Sequence, residues 1–134
     1  MSQFGIGAML HQLSSNEPTV TAVKESLGLK IKEIKLDVDD LKIEFETGRI
    51  IKIWDDGQSC CENRYMRTDD DLQEFIGATL LDIELKDAPE IEDQYDVHEV
   101  QFLEIKTDKG SFVVSNHNEH NGYYGGFAIV AKVV

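Results

Sequence analysis

The chain has 134 residues, with 26 acidic and 13 basic side chains and a net charge of −13. That length holds one domain of ordinary size and no separate cofactor domain, and its 41 % hydrophobic content supports a core without disulfides or metal. The acid excess disfavours direct nucleic-acid binding and anionic membrane surfaces, and no apolar run reaches the ~18 residues of a membrane span.

Residues 1–17 carry one charge and no clear period, which suggests a flexible arm before a single domain at 18–134. No Lys or Arg precedes Lys24, so the start lacks the charged region of a secretory signal, and the expected compartment is the cytoplasm. Pro18 and Thr19 open a short helical pattern that Gly28 closes. Period-two alternation then predicts strands around Leu29–Leu36, Leu41–Phe45 and Ile50–Ile53, with Thr47-Gly48-Arg49 as a turn. Thr68 as N-cap, Asp69, Asp70 and Asp71 in the first turn, and Gly77 at the end predict a second helix. Leu81, Ile83 and Leu85 alternate with Asp82 and Glu84 as a following strand. The parity breaks between Gln101 and Leu103, which predicts a bulge near Phe102 and Leu103. Thr107-Asp108-Lys109-Gly110 reads as a hairpin turn into Phe112–Ser115. The last strand, Phe127–Val133, is apolar on nearly both sides and is expected to be central or covered.

An offset of 49 residues aligns Thr19 with Thr68, Leu27 with Ile76, Gly28 with Gly77, Ile34 with Ile83 and Leu36 with Leu85. Two α-β-β-β units, about 19–54 and 68–116, plus a closing strand predict an α+β domain on a mainly antiparallel sheet. Each unit ends in a polar, glycine-containing segment, Trp54–Asn63 and Asn116–Gly126. Such loops are where binding residues concentrate. The candidate cluster is therefore Trp54, Asp55, Asp56, Cys60, Cys61, His117, Glu119, His120, Tyr123 and Tyr124. If a pseudo-two-fold axis relates the units, both loops lie on one side of the domain, with Cys61 and His120 within roughly 20 Å.

Metal is the first chemistry to weigh. Cys60, Cys61, His117 and His120 are residue types that bind zinc, but adjacent cysteines seldom share an ion and neither spacing is that of a zinc knuckle. Cys61, five residues, Arg67 and Thr68 fit a cysteine-phosphatase pattern, yet no glycine lies between them to wrap a phosphate. The four histidines, at 11, 98, 117 and 120, assemble no convincing acid, base and nucleophile. No catalytic residue and no cofactor is assigned. Residues 82–99 hold eight acids against Lys86 alone, a solvated face or a surface for a basic partner.

Asp56-Gly57-Gln58-Ser59-Cys60-Cys61-Glu62, Phe75-Ile76-Gly77, Thr107-Asp108-Lys109-Gly110 and Asn118 through Gly126 resemble an uncharacterised family of small phage and bacterial proteins over about residues 27–130. The resemblance implies a shared fold and a phage context and supplies no reaction. The expectation is a non-enzymatic phage or prophage accessory protein that binds a host or phage macromolecule, with self-association left open. The alternative is a small metal protein or enzyme with its site between the 55–61 and 117–124 loops.

Overall fold

The computed structural model describes residues 17–57, 63–87, 91–92, 97–120 and 127–134. Among these residues, helix α1 (Glu17–Ser26) precedes strands β1 (Ile31–Leu36), β2 (Asp40–Phe45), β3 (Ile50–Asp55), β4 (Asn63–Arg67), β5 (Leu80–Asp87), β6 (Ile91–Glu92), β7 (Val97–Thr107), β8 (Gly110–His120) and β9 (Ile129–Val133). Alternation produces the strands as expected, but they form two antiparallel sheets. The first runs β1-β2-β3-β9 and the second β4-β8-β7-β5, with β6 beside β7. The fourth strand of each sheet comes from the far side of the chain. After β3 the chain leaves its own sheet and adds β4 to β8; after β8 it returns and adds β9 to β3.

One apolar core serves both sheets. Ile31, Leu41, Ile43, Phe45, Ile51 and Ile53 from the first meet Leu80, Ile83, Leu103, Phe112 and Val114 from the second, all fully buried. Each such side chain contributes about 1.5–3 kcal/mol by leaving water. β9 stands at the end of its sheet order, and α1 covers it: Ala131 N donates to the buried Thr19 Oγ1 at 3.0 Å. That bond satisfies an edge amide that would otherwise need water. The helix begins at Glu17, two residues before Thr19, with Pro18 in the first turn, where its missing N–H costs nothing.

The sheets also join along the backbone. Gly28 N donates to Leu80 O at 2.7 Å, and Gly77 N donates to Ile31 O at 2.7 Å. Leu80 N donates to Leu29 O at 2.9 Å, and Ile31 N donates to Ala78 O at 2.7 Å. Between them lies an isolated antiparallel bridge, Lys30 to Thr79. Gly28 and Gly77 both hold φ of 86°, where a side chain would be strained. Each of these contacts has its counterpart 49 residues away.

Several elements depart from the sequence expectation. The second helix is only a 3-10 turn, Leu72–Phe75, capped by Asp71 rather than Thr68. Its aspartates are engaged otherwise than in a helix: Asp71 Oδ1 accepts locally from Gln73 N, and Asp70 Oδ2 reaches across to accept from Val113 N on β8. Register continues unbroken through Phe102 and Leu103, because Gln101 turns inward and is buried at 8 % exposure. The breaks fall instead between Ile31 and Glu33 and between Leu80 and Asp82. The second break turns Leu81 outward to 54 % exposure, so it does not share the inner face of Ile83 and Leu85. β8 runs on to His120, which makes residues 116–120 strand rather than loop. β4 and β6 were not anticipated.

Candidate functional site

Where β3 ends, it meets β4 of the other sheet. Arg64 Nη1 donates to both Asp55 oxygens at 2.8 Å, and each side chain is only 7 % exposed. Asp55 Oδ1 also accepts from Gly57 N at 3.1 Å and from Ala128 N at 3.0 Å, just before β9. One carboxylate thus ties the end of β3 to β4 and to the approach to β9. Such a pair is stable only when its remaining lone pairs are satisfied, and these backbone amides satisfy them. Gly57 completes the arrangement, since a Cβ there would stand 2.6 Å from Arg64 Nη1. A cleft of about 240 Å³ opens beside the pair, with Val38, Asp39, Trp54, Tyr65 and Met66 on its walls.

On the opposite face of β4 the Tyr65 ring stacks on His117, with centroids 4.6 Å apart and planes 3° from parallel. The cross-strand register of Tyr65 with His117 produces this stack. His117 Nδ1 lies 2.8 Å from His98 Nε2, and its Nε2 lies 2.9 Å from Ser115 Oγ. Burial, with help from the neighbouring His98 and Arg67 charges, pushes the His117 pKa below its ordinary 6.5. The Tyr65 hydroxyl donates to Glu119 Oε2 at 2.5 Å. Burial, followed by that carboxylate, pushes the phenol up to about 12. Tyr65 therefore holds its proton throughout the physiological range.

The inner face of the same strands is polar. Asn116 and Asn118 are 1 % and 0 % exposed, in line with Phe112 and Val114 on β8. Asn116 Nδ2 donates to Gln101 O at 3.3 Å, and its Oδ1 has no hydrogen-bond partner among the described residues.

Of the sequence candidates, Asp55 and His117 are held on opposite faces of β4 by its adjacent residues Arg64 and Tyr65. Glu119 joins that group through Tyr65. Trp54 lies on the outer face of the first sheet, its Nε1 donating to the exposed Asp56 at 3.2 Å. His120 ends β8 in register with Val97. Cys60, Cys61, Tyr123 and Tyr124 lie outside the described residues, and so does the expected Cys61–His120 separation. No group of three or more metal-binding side chains occurs among the described residues. In the acid-rich stretch, Glu84 is buried and bonded to Lys106 Nζ at 2.5 Å, so it is no surface carboxylate. Sequence reasoning missed Arg64, Tyr65 and His98 as members of the site. Alternation of His117 and Glu119 against Asn116 and Asn118 was the available signal for β8, obscured by the polarity of both faces.

No helix among the described residues is long and apolar enough to cross a membrane. No curated protein and no solved structure matches the chain. A family model described as a domain of unknown function, DUF7448, matches residues 24–130, and the chain belongs to that family.

Proposed function

We propose that this chain is a non-enzymatic accessory protein of a phage or prophage that binds a basic macromolecular partner of the host, acting in the cytoplasm. The observation that carries this reading is the mutual commitment of the polar side chains best suited to chemistry. Arg64 is bonded to Asp55, Tyr65 to Glu119, and both His117 ring nitrogens are in contact, with His98 and Ser115. A phenol held near 12 is a poor base or nucleophile at neutral pH. The charge of −13 supports a basic partner drawn in by long-range attraction. The phage context rests on the sequence resemblance alone.

The same reading includes an internal duplication in which the two units exchange their fourth strands. Its support is the paired hydrogen bonds about the Lys30–Thr79 bridge and register breaks at Ile31/Glu33 and Leu80/Asp82, again 49 residues apart. Trp54, Asp55, Asp56, His117 and Glu119, with Cys60, Cys61, His120, Tyr123 and Tyr124, remain the proposed binding cluster. The alternative, a metal or enzymatic site between the two loops, draws on the imidazole pair His98 and His117.

Immobilised protein incubated with host lysate tests the reading. A discrete basic protein should be retained near 0.15 M salt and released near 1 M, where the screening length falls to roughly 3 Å. Absence of such a partner, together with stoichiometric zinc or iron in purified protein, would establish the alternative instead.

A further inference from the structure

The outer face of the first sheet carries a row of like charges. Lys35 pairs with Lys42 across β1 and β2, Lys42 with Lys52 across β2 and β3, and Lys52 with Lys132 across β3 and β9. Four of the 13 basic residues therefore stand in one line across all four strands. With strands about 4.8 Å apart, the line spans about 14 Å. Like charges directly opposed across strands destabilise a sheet, and here the opposition occurs three times in succession. The acids that could relieve it stand in neighbouring rows. Glu33 faces Glu44 on one side, where Lys32 already engages Glu44 at 3.8 Å, and Asp40 stands on the other. Of the four lysines, only Lys52 has a carboxylate within ion-pair distance among the described residues, Asp40 Oδ2 at 3.9 Å. At the end of the row lies Trp54, with Lys52 Nζ over its ring at 4.7 Å and Lys132 Nζ at 5.9 Å, and with Asp56 accepting from its Nε1, so a base meets the indole by displacing a lysine from its face.

We infer that this lysine row with Trp54 is a docking surface for single-stranded nucleic acid, its phosphates following the row and a base meeting the indole. Lysines are point charges on flexible stems, suited to backbone phosphates and to binding without sequence preference. A single aromatic ring at the edge of a positive track is the arrangement on which bases stack. An acidic peptide would satisfy the lysines but would leave the ring without a matching planar group. The net charge of −13, which disfavours nucleic acid for the whole molecule, does not govern this face. The acids of the second sheet lie at least a core's thickness away, roughly 10 Å, so lysines in direct contact with a phosphate outweigh them by distance. This surface shares Trp54 with the cluster proposed above but adds the lysines, so substitution of Lys42 separates the two readings.

Trp54 is the chain's one tryptophan, so its fluorescence reports on this face and on the adjoining cleft, and the Lys42 variant tells the two apart. A short oligothymidylate titrated into the full chain at low salt should quench it. The logarithm of the binding constant should fall against the logarithm of salt with a slope of about −2 to −3, as for three or four phosphates on a single strand. Lys42→Gln should weaken binding and reduce that slope by about 0.7, while Lys24→Gln, on α1, leaves both unchanged. Because Lys42→Gln also removes repulsion, its melting temperature should be no lower than that of the parent, which separates lost binding from lost folding. Three results would each overturn the inference: no quenching at low salt, equal weakening by both variants, or binding of polyglutamate as tight as that of the oligonucleotide.

Discussion

The two sheets share a core but distribute polarity in opposite ways. In the first, the inner face is apolar from Ile31 to Ala131, and the charge stands outside as the lysine row. In the second, the inner face begins apolar at Phe112 and Val114 and turns polar at Asn116 and Asn118, while the outer face carries Tyr65, His98 and His117. The first sheet therefore has stability inside and charge available outside. At the far end of the second, polar side chains hold one another and the neighbouring sheet.

The largest expected effect breaks the link between the sheets. Asp55→Ala leaves the Arg64 guanidinium buried without its carboxylate and should cost about 3–5 kcal/mol in urea denaturation. The contrast within the core comes next. Ile53→Ala, on the apolar inner face, should cost about 2–5 kcal/mol, whereas Asn116→Ala, whose Oδ1 already lacks a partner among the described residues, should cost about 1 kcal/mol. Equal costs at the two positions would erase the distinction between the sheets. On the outer face the sign reverses: Lys42→Gln should raise stability by about 0.2–1 kcal/mol through relief of cross-strand repulsion.

The smallest effect concerns pH. Burial and the His98 and Arg67 charges outweigh Glu119 and hold the His117 pKa below 6.5, so the fold disfavours its protonated form. The unfolded chain then binds more protons just below that value, and stability should decline as pH falls through about 6.5. His117→Gln should flatten this part of the profile, as followed by thermal melts at pH values on either side of it.

The sequence disclosed the strands of the first sheet because alternation there coincides with burial: Leu41, Ile43 and Phe45 point inward and Lys42 and Glu44 outward. It failed wherever those two signals separate. Gln101, Asn116 and Asn118 occupy inward positions with polar side chains, so β8 was read as ending in a loop and β7 as carrying a bulge. Leu81 is apolar yet exposed, because the register break beside it turns the chain over. Three aspartates suggested a helix N-terminus, but Asp71 accepts from Gln73 N to fix a short turn and Asp70 accepts from Val113 N to tie it to β8. Asp55 was legible as a polar residue at a strand end, and His117 only as a member of a polar run. Their partners Arg64 and Tyr65 were not, because β4 pairs with the distant β8 and no local pattern encodes that pairing. The lysine row was invisible for the same reason, since its four members span residues 35 to 132 and only register aligns them.

The central claim is that the polar side chains at the junction of the sheets hold the fold together, and a double-mutant cycle on Asp55 and Arg64 tests it most directly. Asp55→Ala, Arg64→Ala and the double variant would be compared by urea denaturation. The account predicts a coupling of about 2–3 kcal/mol, the double variant losing that much less than the two single losses added. Additive losses, with coupling near zero, would contradict it.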